Sequence, residues 1–434
     1  MQPPTTRQTI RSRLKDCPLT GDILTIFLFH FLSLLSGMVG SIVVARALGP
    51  TQKGLLNLFS LLTTLLTEFG LFGLNSGLLY YLANRKTPLA RVHAAALWGS
   101  LALGGACFVA VVAFFRPLLT AFQGLPPYFV LTAGILGPFL LYRMLWSNLM
   151  TGINRAPHVY RVSFVISLLS LLGILALWRL AELSATSLIW LNIVLLTANS
   201  VYGFLYLSRA HQRRFIWDRP CLTGALRYGG VVYFGVVFNF LHFRVDQLLI
   251  NYFQGPRGVG IYTVSVSWVE LLWLIDYAVI NAALYDISSL EPRESWDLTW
   301  RLCKWTSAML ALAAVVLMSA AGPLIRGIYG REFLGAVRPL MLLVPGVVAW
   351  SAGRILAQFI SYNAGRPHLC TGAALVGTVL NIAGNLYSIS RWGLSGAAVT
   401  SSVSYLVTCG LVALAFASLR RQPTIPDAAH VSSV

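Results

Sequence analysis

Residues 243–262 read FRVDQLLINYFQGPRGVGIY. An arginine and an aspartate stand two positions apart inside an oily run, and a Gly-Pro turn closes that run. Proline lacks an N–H and favours a helix start, while glycine tolerates a tight turn, so the pair punctuates two consecutive helices. A second copy of Gly-Pro-x-x-x-Gly lies 206 residues earlier, GPTQKG at 49–54 against GPRGVG at 255–260. The same offset relates PLLTAFQG at 117–124 to PLIRGIYG at 323–330, and INRAPH ending at His158 matches NAGRPH ending at His368 with an offset of 210. Three matches in one order, each at an equivalent helix junction, define an internal duplication.

The composition sets the environment. The 434 residues are 57% hydrophobic and 11% charged, with a mean hydropathy of +0.72, whereas a soluble domain carries about 25% charge. The chain is an integral membrane protein. Its apolar runs are long enough to cross a hydrocarbon core of roughly 30 Å as helices, and they lack the ten-residue alternation of barrel strands. The expected spans are 21–48, 54–84, 90–115, 127–153, 157–181, 185–208, 226–254, 257–286, 301–325, 337–363, 367–390 and 393–418. The expected fold is therefore all-α and integral to the membrane, with twelve transmembrane helices in two six-helix bundles around a central cavity. Six is even, so the bundles, 21–208 and 226–418, form a parallel repeat of the kind that builds alternating-access transporters. A basic tail at 1–20, a connector at 209–225 and a tail at 419–434 complete the expected plan.

A net charge of +18 would suggest nucleic acid in a soluble protein. Here 20 of the 32 basic residues fall on the side that holds both termini, which places those termini in the cytoplasm by the positive-inside rule. The remaining excess attracts anionic lipid, and no nucleic-acid role is expected. The run at 21–48 is longer than a signal-peptide core, so an uncleaved first helix is expected. The six cysteines show no metal spacing, and no metal site is expected.

The intramembrane charges carry the functional signal. Successive helical residues turn by about 100°, so Arg244 and Asp246 point roughly 160° apart and do not pair with each other. Arg244 lies about 15 Å below the Gly-Pro turn, where an arginine costs roughly 2.5 to 3.5 kcal/mol on insertion scales. Arg143 and Arg354 occupy repeat-equivalent helices at mid-depth, and neither helix contains an acidic residue. Arg46 and His30 add basic groups in the first helix. The acidic set comprises Glu68, Asp246, Glu270 and Asp276. Two alternatives stand for the arginines: ion pairs that register the bundles, or a cationic site for an anionic substrate, guanidinium being the planar phosphate binder. For the carboxylates the alternatives are charge pairing or H⁺ or Na⁺ coupling. No other cofactor is expected, and no Ser/His/Asp set, phosphate loop or metal motif supports an enzyme.

The stretches VVARALGPTQKGLLNLFSLLTTLLTEFGLFGLNSGLLYYLA, RVDQLLINYFQGPRGVGIYTVSVSWVE and RWGLSGAAVTSSVSYLV resemble the polysaccharide-transporter branch of the multidrug/oligosaccharidyl-lipid/polysaccharide exporter superfamily. The resemblance covers about 21–418 and rests on small and apolar residues, so it specifies family better than substrate. It implies an O-antigen-type (Wzx-like) flippase of the cytoplasmic (inner) membrane that moves polyprenyl-pyrophosphate-linked oligosaccharide for lipopolysaccharide or exopolysaccharide assembly. Arginines matched by depth, Arg143, Arg244 and Arg354, would bind the pyrophosphate. A monomer that hands its lipid-linked oligosaccharide to polysaccharide polymerase machinery is expected. The alternatives are a multidrug/cation antiporter of the same superfamily and a peptidoglycan lipid flippase, the latter disfavoured by helix count.

Overall fold

Helices dominate because a bilayer offers no water to backbone N–H and C=O groups, which must then be satisfied within each segment. The computed structural model describes residues 19–83, 87–210 and 218–420, and among these no strand occurs. The expected basic tail at 1–20, the middle of the connector and most of the 419–434 tail lie outside the described residues. So do Arg7, Arg11, Arg13, Lys15, Arg85, Lys86, Arg213, Arg214 and Arg421, which contribute to the expected topology.

In chain order the helices are α1 (Leu19–Gly70), α2 (Leu74–Ala83), α3 (Leu89–Ala113), α4 (Phe115–Ala121), α5 (Pro127–Ile135), α6 (Gly137–Gly152), α7 (Ala156–Arg179) and α8 (Ala185–Ala210). There follow α9 (Arg219–Glu270), α10 (Trp273–Ser289), α11 (Pro292–Ile328), α12 (Val337–Gln358) and α13 (Pro367–Leu419). A 3-10 turn, Arg331–Ala336, precedes α12, and a π-helical turn, Phe359–Asn363, ends it. Among the described residues eight helical stretches are long and apolar enough to cross a membrane, nine if α5 and α6, bent by 48°, count as one. Three of the stretches hold two expected spans each, with a kink between them at a glycine outside helical geometry: Gly49 in α1 (φ 72°), Gly255 in α9 (φ 68°) and Gly393 in α13 (φ 57°).

The backbone carries the duplication further than the sequence does. Gly49 and Gly255 share one left-handed, extended conformation, each followed by the proline that starts the next arm. Gly124 (φ 89°) matches Gly330 (φ 97°) at the same offset of 206. Asn154 (φ 58°) matches Gly365 (φ 64°), and Ala181 (φ 58°) matches Gly393, with offsets of 211 and 212. A left-handed conformation strains residues other than glycine, so its recurrence at matched junctions is not accidental.

The chain divides into two compact units. Unit 1 takes residues up to Leu48, Leu62–Phe115 and Pro126–Tyr233; unit 2 takes Gly49–Leu61, Arg116–Leu125 and residues from Phe234 onward. Two stretches of the expected first bundle thus belong to unit 2. The reason is contact between the repeat copies. A Cβ on Gly54 would lie 1.8 Å from the Pro256 carbonyl oxygen, and one on Gly260 would lie 1.9 Å from that of Pro50. The two Gly-Pro motifs therefore cross reciprocally, backbone on backbone, in the small-residue packing that membranes favour. Asn57 donates a hydrogen bond to Thr263, its counterpart 206 residues on. The 116–125 stretch is held in unit 2 by Gln123 Nε2, which donates to the carbonyls of Asn251 and Tyr252, while Asn251 Nδ2 donates to those of Ala121 and Gln123.

Unit 1 has a reciprocal crossing of its own, where Gly73 and Gly229 each face the other's carbonyl at about 2 Å from an added Cβ. Its core packs Leu71, Leu74 and Leu78 with Trp146, Leu149 and the small face of α3, Ala95 and Ala96. In unit 2 the core joins Ile287, Ile355, Leu356, Phe359 and Phe416.

The crossing makes a stability prediction. Gly260→Ala has no room and should lower the unfolding free energy in detergent by roughly 1–3 kcal/mol. Gly37, with nothing within 4 Å of an added Cβ, should tolerate alanine and gain up to about 1 kcal/mol from helix propensity. Paired thermal or denaturant unfolding of the two variants checks this; equal effects would show that the crossing is loose.

Candidate functional site

The break between α9 and α10 assembles the charges of unit 2. Glu270 is the last residue of α9 and Asp276 lies in the first turn of α10, so the two carboxylates flank residues 271–272. Each receives an arginine. Arg244, from the first arm of α9, pairs with Glu270 at 3.2 Å, with both side chains about one-third exposed (34% and 31%). Arg354, from α12, pairs with Asp276 at 3.4 Å, and Asp276 is fully buried. The Arg354 guanidinium also lies 5.7 Å from the centroid of Trp273, which opens α10. An acidic group in the first turn of a helix also suits the helix dipole, so Asp276 is held from two directions.

Asp246 has no ion pair among the described residues, and the helical angle turns it away from Arg244. It is buried at 3% exposure. It accepts from the Tyr262 hydroxyl (2.7 Å), the Ser401 hydroxyl (3.3 Å) and the Gln247 backbone N–H (2.8 Å). Behind Ser401 a polar ladder runs along α13: Asn381 Nδ2 donates to Ser401 and Ser404, and Asn385 Nδ2 donates to Asn381 Oδ1 at 2.8 Å. The buried Asn385 Oδ1 has no partner among the described residues. Reading the sequence for charge alone missed this ladder. Its signal was present, with Asn381, Asn385 and Ser388 at i, i+4 and i+7 of one arm and Ser401, Ser404 and Thr408 at i, i+3 and i+7 of the other.

Unit 1 holds the duplicate of this arrangement with half its members changed. Arg143 on α6 and Arg354 on α12 differ by 211 residues, the same register as the left-handed pair Asn154 and Gly365. Counted back from His158 and His368 the two arginines differ by one position, and that extra residue lies beyond the turn. Glu68 stands shortly before the α1–α2 break as Glu270 stands before the α9–α10 break. The partners do not recur. Met38 occupies the position 206 residues before Arg244, and Gly70 the position 206 residues before Asp276. Arg143 is exposed and Glu68 half-buried, and neither has an ion pair among the described residues. Beside Arg143, Tyr142 is tied down by a buried hydrogen bond of 2.8 Å to His93 Nε2.

The remaining expected residues do not join one site. His30 is half-buried, its ring edge-on to Tyr160 at 5.5 Å. Arg46 is exposed on the same arm of α1, sixteen residues on and so about 24 Å away. Among the described residues no group of three or more His, Cys, Asp or Glu side chains could hold a metal ion.

Solved structures share this architecture. "Lipid II flippase MurJ, inward closed conformation" superposes with a TM-score of 0.75 at 14% identity, covering 90% of this chain and 87% of that one. An inward-facing multidrug resistance MATE family transporter of the MOP superfamily superposes with a TM-score of 0.72 at 14% identity, covering 90% and 96%. The fold is that of multi-pass membrane transporters and flippases. The chain belongs to the family described as polysaccharide biosynthesis protein, whose model matches residues 43–338. An uncharacterized membrane protein of Methanocaldococcus jannaschii is 22% identical over 221 residues, 48% of this chain and 42% of that protein, so the match spans less than half of that relative.

The two ion pairs should differ in strength. A double-mutant cycle with Arg354→Gln and Asp276→Asn should give a coupling of about 1–3 kcal/mol, because breaking it strands a buried charge. The Arg244→Gln and Glu270→Gln cycle should give about 1 kcal/mol or less, since both partners reach solvent. Unfolding free energies of the seven proteins, the wild type being common to both cycles, decide the order.

Proposed function

We propose that the protein is a flippase that carries a polyprenyl-diphosphate-linked oligosaccharide across the inner membrane by alternating access, for cell-surface polysaccharide such as O-antigen or exopolysaccharide. The observation that carries this is Arg143, an exposed guanidinium in an apolar helix whose duplicate, Arg354, is neutralised by Asp276 while it is not. An unpaired arginine in such a place calls for an anion from outside the chain, and a diphosphate offers the bidentate oxygens that guanidinium prefers. Arg244 and Arg354 follow as secondary contacts. Their carboxylates, Glu270 and Asp276, hold them until a diphosphate competes, so each arginine exchanges one anion for another and is never left bare.

Membership of a polysaccharide biosynthesis family and a fold shared with a lipid II flippase support this substrate class. The protein would act as a monomer among anionic lipids with both termini cytoplasmic, and would deliver its cargo to polysaccharide polymerase machinery. Coupling to H⁺ or Na⁺ would run through the intramembrane carboxylates, of which Glu68 and Asp246 have no ion pair among the described residues. The second function, a multidrug antiporter, draws on that same Glu68, since a half-buried carboxylate without an arginine suits a cationic drug.

Arg143→Gln should reduce flipping of a lipid-linked diphosphate in proteoliposomes by roughly tenfold to a hundredfold, the value of one charged hydrogen bond, while Arg143→Lys keeps part of the rate. Wild-type flipping in Arg143→Gln at normal expression would remove this assignment. Loss of drug resistance, with intact glycan export, on deleting the gene would favour the antiporter.

A further inference from the structure

The start of α11 is patterned the wrong way round for a helix in water. Residues 305–325 carry no charge and at 1.5 Å each span about 30 Å, the whole hydrocarbon core. Lys304 therefore stands at one boundary, and roughly three turns before it project beyond the core. In that projecting part the inward face is small and polar. Ser295, Thr299 and Cys303 are buried, with the Ser295 hydroxyl donating to the Ile287 carbonyl (2.6 Å) and the Thr299 hydroxyl to that of Ser295 (2.7 Å). The outward face is aromatic and basic. Trp296, Trp300 and Lys304 follow at i, i+4 and i+8, and Trp300 and Trp305 are 40% and 73% exposed. Indoles at such a height mark a membrane–water interface. The end of α13 completes this face from 120 residues away: Trp296 Nε1 donates to the Phe416 carbonyl (3.4 Å). The Phe416 ring stacks on Trp296 (4.9 Å, 13°) and on Trp300 (6.4 Å, 25°). A cation lies over each indole, the Arg420 guanidinium 4.5 Å from the centroid of Trp296 and the Lys304 ammonium 5.7 Å from that of Trp300. Both cations are exposed, and neither has an ion pair among the described residues. The carboxylates of the same segment lie on other faces of α11. Asp297 has Arg293 and Arg301 at i−4 and i+4 to balance it, and Glu291 and Glu294 lie roughly 140° and 160° round the helix from Trp296.

We propose that this seam between the start of α11 and the end of α13 binds the headgroup of an anionic phospholipid. Arg420, held flat on Trp296, offers its planar fork to the phosphate oxygens, and Lys304 adds a point charge at the depth of the core boundary. Trp300 and Trp305 pack against the ester region and first methylenes, the level at which an amphipathic ring is at home. A lipid is the occupant because the two cations are presented at the height of lipid phosphates, on a face whose remaining surface is apolar. A zwitterionic headgroup fits less well, since its own ammonium opposes the two cations. Binding there also reaches the core of unit 2. Phe416 lies edge-on to Phe359 of the π-helical turn at 5.2 Å, in the cluster that holds Ile355 and Leu356. A lipid on Arg420 and Trp296 fastens the end of α13 to α11 and so stabilises the native state by mass action. The site does not rest on the flippase function proposed above.

The test uses the full-length protein in a neutral detergent, read by thermal unfolding and by native mass spectrometry of retained lipid. Phosphatidylglycerol should raise the unfolding midpoint and remain bound where phosphatidylcholine does not. Arg420→Gln combined with Lys304→Gln should weaken phosphatidylglycerol binding by roughly tenfold to thirtyfold, at about fivefold per cation. Arg391→Gln removes another exposed cation of α13, one that lies over Tyr387, and should leave that binding unchanged. Wild-type binding in the double variant, or an equal loss in Arg391→Gln, overturns the site. Inorganic phosphate that protects the wild type as well as phosphatidylglycerol does assigns the seam to a free anion and overturns the lipid. If the double variant melts lower even without lipid, Arg420→Lys with Lys304→Arg decides instead. That pair keeps both charges, so the preference for phosphatidylglycerol over phosphatidylcholine must survive in it, and loss of the preference overturns the proposal.

Discussion

A guanidinium inside a hydrocarbon-depth helix has to find an anion, and in unit 2 that anion comes from the break between α9 and α10. The break turns Glu270 and Asp276, which an unbroken helix would carry on different faces, into two receptors for Arg244 and Arg354. Much of unit 2 follows from this constraint. Trp273 is placed under Arg354, α12 is bound to α10 by charge as well as by shape, and Asp246, left without a cation, is satisfied by hydroxyl and amide donors instead. Buried pairs of this sort are costly to break because removal of one member strands the other.

Duplication explains where the asymmetry lies. The two halves share their left-handed junctions, their Gly-Pro turns and the register of Arg143 with Arg354. What has diverged is the complement of charges. At the offset of 206, Met38 stands where Arg244 does and Gly70 where Asp276 does, and among the described residues Arg143 and Glu68 have no ion pair. The pairing of charges is thus uneven: among the described residues Arg244 and Arg354 have ion pairs, and Arg143 and Glu68 have none. The reciprocal crossings of Gly54 with Gly260 and of Gly73 with Gly229 are places where the copies touch each other backbone to backbone.

The polar groups of unit 2 form a second layer behind the ion pairs. Asn381, Asn385, Ser401 and Ser404 close a hydrogen-bonded ladder on Asp246, and His242 sits one turn away between two aromatic faces. In a low-dielectric interior such networks are strong when complete and expensive when incomplete; among the described residues Nε2 of His242 and Oδ1 of Asn385 have no hydrogen-bond partner.

By itself the sequence determined the helical class, the membrane setting and the duplication, because each depends on local quantities: run length, hydropathy and the chemistry of Gly-Pro turns. It also determined that Arg244 and Asp246 cannot pair, which follows from 100° per residue. Only the tertiary structure decided which carboxylate each arginine meets, since α12 and α10 are brought together over more than seventy residues of chain. The same holds for the seating of residues 49–61 and 116–125 in unit 2, which depends on contact between backbones that no composition records. The glycines with positive φ at 49, 255 and 393 end one expected span and begin the next, as the local chemistry of their turns requires.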